Sequence, residues 1–229
     1  MKFFLKIAAA AALLVLAGCA ELGIRSGVSA QTASAMRKVA VASVLGPTFH
    51  GVLQGTTVFG NASYAEDVSA WQIDAEAVRT ASEVLGRGAG RTVMPIATPL
   101  PAGDVARAVS VARSMGADSL VVVRPTPFDN DRLYAAGYGY FRKSVLGIER
   151  DCIYSLFTVE VHDLASGKRV AWEWGFAPMS GIPCSGQEQK IPWQPQFALY
   201  SAEQREQLRE AVTQIVRTNV ETGVRRLGL

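Results

Sequence analysis

The chain has 229 residues, 49% hydrophobic and 19% charged, with a formal net charge of +3. That length holds one domain with a substantial core, and so small a net charge gives no electrostatic basis for binding nucleic acid. Three cysteines are accompanied by only two histidines, His50 and His162, neither at metal-ligand spacing from a cysteine, and no cofactor motif is present.

At the N-terminus Lys2 and Lys6, with no acidic neighbour, precede an unbroken apolar run from Ile7 to Leu16. This run is shorter than the roughly 20 residues of a membrane-spanning helix and suits the apolar part of an export signal. Small residues follow, Ala17 and Gly18, and then Cys19. Leu16-Ala17-Gly18-Cys19 resembles the lipobox of bacterial lipoproteins. The resemblance implies that residues 1–18 are a signal peptide removed before Cys19. It further implies that the Cys19 thiol carries diacylglycerol, that the new amine is acylated, and that lipid tethers the protein to a membrane. Two or three acyl chains anchor stably where one binds only marginally. By resemblance to the enterobacterial sorting rule, in which aspartate after the cysteine retains a lipoprotein at the inner membrane, Ala20 implies the outer membrane, facing the periplasm. Without Lys2 and Lys6 the formal charge falls from +3 to +1.

Residues 19–36 are rich in Ser, Ala, Gly, Gln and Thr and read as a flexible tether, leaving 37–229 as a single periplasmic domain. Arg37 to Leu45 (RKVAVASVL) predicts a strand buried on both faces. Gly46 to Ala70, rich in Gly and Thr, exceeds ordinary loop length and is expected to have a role or local structure. Trp71 to Leu85 predicts a helix with Ile73, Ala77, Val78, Ala81, Val84 and Leu85 on one face. The glycines at 86, 88 and 90 stop it. Arg91 to Ile96 predicts a short strand, Asp104 to Met115 a second amphipathic helix with Asp104 at its N-cap, and Asp118 to Arg124 another buried strand. Both strand-helix-strand steps fit parallel crossovers.

Cys152 to His162 alternates as a strand, Asp163 to Lys168 supplies a turn, and Arg169 to Phe176 returns. In an exported protein whose Cys19 is lipidated, Cys152 and Cys184 remain to pair in an oxidising compartment, the alternative being two buried free thiols. A bridge from Cys184 to the hairpin base would stabilise the fold by roughly 3 kcal/mol. Ser201 to Leu227 predicts a long helix, opened by a Ser201/Gln204 capping box, with Leu208, Ala211, Val212, Ile215, Val216, Val220, Val224 and Leu227 at helical spacing and packed on the sheet, the alternative being a partner-binding or membrane-lying helix. The fold class is therefore α/β: a small mixed sheet, β-α-β-α-β followed by an antiparallel hairpin, with helices packed on it and a long C-terminal helix.

The hairpin reads Val159-Glu160-Val161-His162-Asp163-Leu164-Ala165-Ser166-Gly167-Lys168. It resembles the Asp-x-x-Ser/Thr-Gly-Lys/Glu turn of envelope lipoproteins that activate penicillin-binding proteins or assemble curli secretion pores. The resemblance spans residues 37 to 176 by order of elements and implies a non-catalytic role with no catalytic residues to transfer. The long Gly46–Ala70 stretch and the cysteine pair depart from that pattern.

No G-x-S-x-G is present, His162 beside Asp163 reads as a strand-end turn, and His50 lies in the glycine-rich stretch without an acidic neighbour. Gly86-Arg87-Gly88-Ala89-Gly90-Arg91 follows a helix instead of joining a strand to a helix N-terminus, so it lacks phosphate-loop geometry. Tyr134, Tyr138, Tyr140 and Phe141 lie among glycines and between Arg132 and Arg142. Two readings stay open for them: a hairpin packed on the core, or an aromatic surface for a protein or glycan partner, which Trp193 could join. The expected function is a non-enzymatic, membrane-anchored envelope lipoprotein that binds a protein complex or peptidoglycan. An envelope hydrolase or transferase, and a subunit of a secretion or surface-assembly machine, are the alternatives.

Overall fold

Lys38–Ser43 forms β1, with every residue from Val39 to Ser43 buried, as an apolar run without alternation demands. In the computed structural model, residues 27–88, 90–127, 135–146, 148–175, 184–188 and 191–229 are described, with the backbone alone for residues 148 and 184–188. β1 is flanked in parallel by two strands of the same fold half. β4 (Thr92–Pro95) pairs on one side and β5 (Ser119–Pro125) on the other. The chain crosses between them through α2 (Ile73–Gly86) and α3 (Val105–Ser114). Alternate residues of β1 and β5 face opposite ways. Val39, Val41, Val121 and Val123 join the core under α2, whereas Ala40, Ala42, Leu120 and Val122 pack with Ala108 and Ala112 of α3. Asp104 caps α3 by accepting the Arg107 N–H at 2.8 Å.

The glycine-rich stretch from 46 to 70 holds an unpredicted hairpin, β2 (Thr48–Gln54) and β3 (Ala62–Asp67). The aromatic segment is also a strand, β6 (Gly137–Val145), parallel to β2. Both lead to β7 (Ile148–Asp163), sixteen residues long. Residues 148–156 of β7 pair with β6 and residues 157–163 with β5, so this one strand joins the two parts of the sheet. β8 (Lys168–Trp174) and β9 (Cys184–Glu188) pair with β7 as well. Among the described residues the result is a mixed nine-stranded sheet ordered β3-β2-β6-β7-β5-β1-β4, with β8 and β9 branching from β7. Gly139 explains how β2 and β6 come together. A Cβ there would lie 2.0 Å from the His50 carbonyl oxygen, so no other residue fits.

α4 (Ala202–Arg226) covers β7. The reciprocal capping box predicted for it is present, with Gln204 N–H on Ser201 Oγ at 3.1 Å and Ser201 N–H on Gln204 Oε1 at 2.9 Å. Gly223 lets the helix approach: a Cβ there would meet Val159 Cγ2 at 2.6 Å. A buried polar contact, Asn219 Nδ2 donating to Ser155 Oγ at 2.7 Å, fixes the register of helix on strand. Residues 27–36, read from sequence as tether, lie against the domain. Ala30–Ala35 forms the short helix α1, the Val28 N–H donates to the Leu227 carbonyl at 2.8 Å, and Met36 is buried.

Candidate functional site

A cleft of about 950 Å³ opens beyond the carboxyl ends of β1 and β4, the end of an α/β sheet where ligands are generally held. One wall is the first half of α2. The other is the chain leaving β4, Pro95 to Leu100, and Pro47, Val68 and Tyr138 complete it. Local chemistry holds these walls in place. The backbone turns at Gly46, whose φ of +81° suits glycine, and Asp74 in the first turn of α2 grips that turn. Its Oδ1 accepts the Leu45 N–H at 2.9 Å and the Ser43 hydroxyl, and its Oδ2 accepts the Gly46 N–H at 3.1 Å. A carboxylate is also favoured there by the helix dipole. From β6, Tyr138 donates its hydroxyl to the Gly46 carbonyl at 2.9 Å. Burial raises the Tyr138 pKa, and the charges of Asp74 and Asp67 raise it further, so the phenol stays a donor.

The floor is mostly carbon, from Val68, Ile73, Val78, Pro95, Ile96 and Leu100. The polar groups of Asp74 and Ser43 are consumed by each other and by the backbone. The rim carries Arg79, which bonds Glu76 at 2.6 Å and also pairs with Glu83. Burial opposes the charge on Glu76, but hydrogen bonds from Arg79 and Arg217 outweigh it and lower its pKa. Gln72 holds a left-handed backbone, φ +54°, at the helix start, an uncommon conformation for a side chain of this kind. The buried Ser82 hydroxyl has no hydrogen-bond partner among the described residues. Such a cleft suits an apolar group oriented by one or two polar contacts.

A second polar cluster lies at β7. The Glu160 carboxylate, 3% exposed, accepts from Arg124 at 3.2 Å, Arg169 at 3.0 Å and His162 Nε2 at 3.0 Å. Burial by itself would raise its pKa. The His162 hydrogen bond and the charges of Arg169 and Arg124 prevail and hold it at about 2. The Arg169 guanidinium also lies 5.7 Å over the Trp172 ring. His162 is thus tied to an ion-paired carboxylate, and His50 stands on β2, its pKa lowered by burial. Neither histidine lines the cleft. Among the described residues no cluster of His, Cys, Asp and Glu could hold a metal ion.

No protein-family model matches the chain, and no curated protein matches it. Among solved structures it is similar to a PelC dodecamer from Paraburkholderia phytofirmans, at 18% identity over 64% of this chain and 72% of that one, with a TM-score of 0.29. It is also similar to lipoprotein GNA1162 from Neisseria meningitidis, at 14% identity over 60% and 78%, with a TM-score of 0.30. Both scores fall below the level at which two chains share a fold, so the site is read from its own residues.

Of the residues singled out by sequence, Tyr138, Tyr140 and Phe141 are fully buried. Tyr140 and Phe141 present no contact surface, and Tyr138 forms part of the cleft wall. β6 runs between β2 and β7, so its side chains have sheet neighbours on both sides and core beneath. Tyr140 donates its hydroxyl to the Ile191 carbonyl. Trp193 packs against the same core, 6.2 Å from the Tyr64 ring. Tyr134 and Cys19 lie outside the described residues. Cys152 is 3% exposed on β7, and Cys184 is on β9, its backbone opposite Tyr154. Sequence reasoning missed Asp74, whose only signal is its place in a first helical turn, and Glu160, whose partners come from three strands.

Proposed function

We propose that the protein is a non-enzymatic lipoprotein of the bacterial cell envelope, cut before Cys19, lipid-anchored there, and resident at the outer membrane facing the periplasm. Its α/β domain binds another envelope component, a protein complex or peptidoglycan, with the cleft beside Asp74 as the point of contact. The order of Lys2, Lys6, the apolar run and Leu16-Ala17-Gly18-Cys19 supports the anchor. Among the described residues, no helix is long and apolar enough to cross a membrane. The observation that carries the binding role is the cleft itself: an apolar floor in which Asp74 and Ser43 are bonded internally and the Ser82 hydroxyl has no partner among the described residues.

A photo-crosslinking residue placed at Thr98, exposed on the cleft rim, tests this in intact cells. A reproducible adduct is expected, and Ala97→Trp, which fills the opening, is expected to abolish it without changing the melting temperature. An adduct that survives the blocked cleft would reject the cleft as the contact.

The same reading places Cys152 and Cys184 in an oxidising compartment. Their strands are adjacent, with Tyr154, which shares a face with Cys152, opposite Cys184. Mass mapping of the unreduced protein is expected to return one peptide pair linked through Cys152 and Cys184; alkylation of both thiols without reductant would refute the pairing.

A further inference from the structure

The cleft opens where β2 and β6 begin; a different surface lies where they end. Gln54 of β2 pairs with Lys143 of β6, so the β2–β3 and β6–β7 turns leave the same end of the sheet. Val58, Phe59 and Leu146 stand on those turns, 76%, 96% and 83% exposed. The turns are tied together by the Leu146 N–H, which donates to Thr56 Oγ1 at 3.1 Å. The first is braced internally by the Gly55 N–H on Asn61 Oδ1 at 2.9 Å and the Gly60 N–H on the Thr57 carbonyl at 2.9 Å. Scattered exposed apolar side chains are ordinary, but three on one braced edge mark a contact surface.

Charge is sorted across the same blade. Lys143 and Arg150 are directly opposite each other on β6 and β7, an unfavourable pairing of like charges. Neither makes an ion pair among the described residues. On the other face Arg142 is neutralised, bonded to Glu149 and 3.6 Å from Asp151. The edge therefore combines an apolar tip with two cations that pair with no acidic group among the described residues.

We infer that these tips seat in the headgroup layer of an anionic phospholipid leaflet. Val58, Phe59 and Leu146 enter the apolar boundary while Lys143 and Arg150 meet lipid phosphates. A convex edge of three side chains offers far less area than the roughly 1,200–2,000 Å² of a stable protein interface, whereas a bilayer deforms around it. The inference stands apart from the cleft reading, since the two surfaces lie at opposite ends of β2.

The test places Phe59→Cys in the full chain, labels it with the environment-sensitive fluorophore NBD, and carries the unsubstituted chain through the same labelling as a blank. Ser166→Cys, on the turn between β7 and β8 at the far end of β7, is the control. In phosphatidylglycerol vesicles the probe at 59 is expected to shift to the blue and be quenched by spin-labelled lipid. The probe at 166 is expected to remain water-like. Lys143→Glu with Arg150→Glu should abolish the shift at 59. No shift at 59, an equal shift at 166, or a concentration-dependent shift without vesicles, which would mean contact between copies, each overturns the inference. None of these outcomes bears on crosslinking at Thr98.

Discussion

Replacing Tyr140 by alanine is expected to destabilise the domain by about 3–5 kcal/mol, the cost of deleting a large buried ring and leaving a cavity. For a chain of this size that lowers the melting temperature by on the order of 10 °C. The ring is fully buried, so there is no route by which water or a neighbouring side chain fills the space cheaply. Tyr140→Phe separates the two contributions. It keeps the ring, removes the bond to the Ile191 carbonyl, and is expected to cost about 1 kcal/mol, plus the desolvation penalty of an orphaned carbonyl. Thermal denaturation of the three proteins decides the matter. A partner-facing aromatic would give an alanine variant with unchanged stability and lost binding, whereas a core residue gives the reverse order of effects.

The contrast shows what the sequence could reveal. Local signals were reliable wherever a segment's own period settled its environment. Val39 to Ser43 carries its burial in an unbroken apolar run, and α4 carries its face in Leu208, Val212, Val216, Val220 and Val224. Ser201 and Gln204 announced the cap that the structure contains. The failures were non-local. Thr48–Gln54 pairs in parallel with Gly137–Val145 across some ninety residues of chain, and no local period encodes such a partner. The glycines at 137 and 139 leave a core-packed hairpin and an aromatic surface both open to a local reading. At Gly139 the physical reason for glycine is the His50 carbonyl, against which a Cβ cannot fit. The cleft was hidden for the same reason. Ser43, Asp74, Ile96 and Tyr138 are brought together by crossovers, and only the excess length of the Gly46–Ala70 stretch hinted that something was built there.

Acid should unfold this domain in part through Glu160, and Glu160→Gln should remove that part. The carboxyl titrates at about 2 in the fold against 4.5 for the free group. The folded protein therefore holds this proton more weakly than the unfolded chain. Its contribution to stability is complete above about pH 4.5, shrinks as the pH falls, and is gone once the pH passes through 2. The full shift corresponds to about 3 kcal/mol. Arg124 and Arg169 are each 43% exposed, so water screens part of the attraction, and about 2 kcal/mol is the better expectation. At neutral pH the glutamine variant should be weaker by about that amount, because two arginines and His162 lose the negative charge they share. Lowering the pH should bring the two proteins together, since the wild-type carboxyl becomes neutral as well. Denaturant midpoints measured in steps from pH 7 to 2 provide the comparison. Converging curves support the cluster as a buried ion-pair network, whereas a constant gap would show that Glu160 acts through shape alone. Asp163 and Glu76, whose pKa values are also lowered, keep some acid dependence in the variant, so the difference between the curves carries the information, and not the slope of either one.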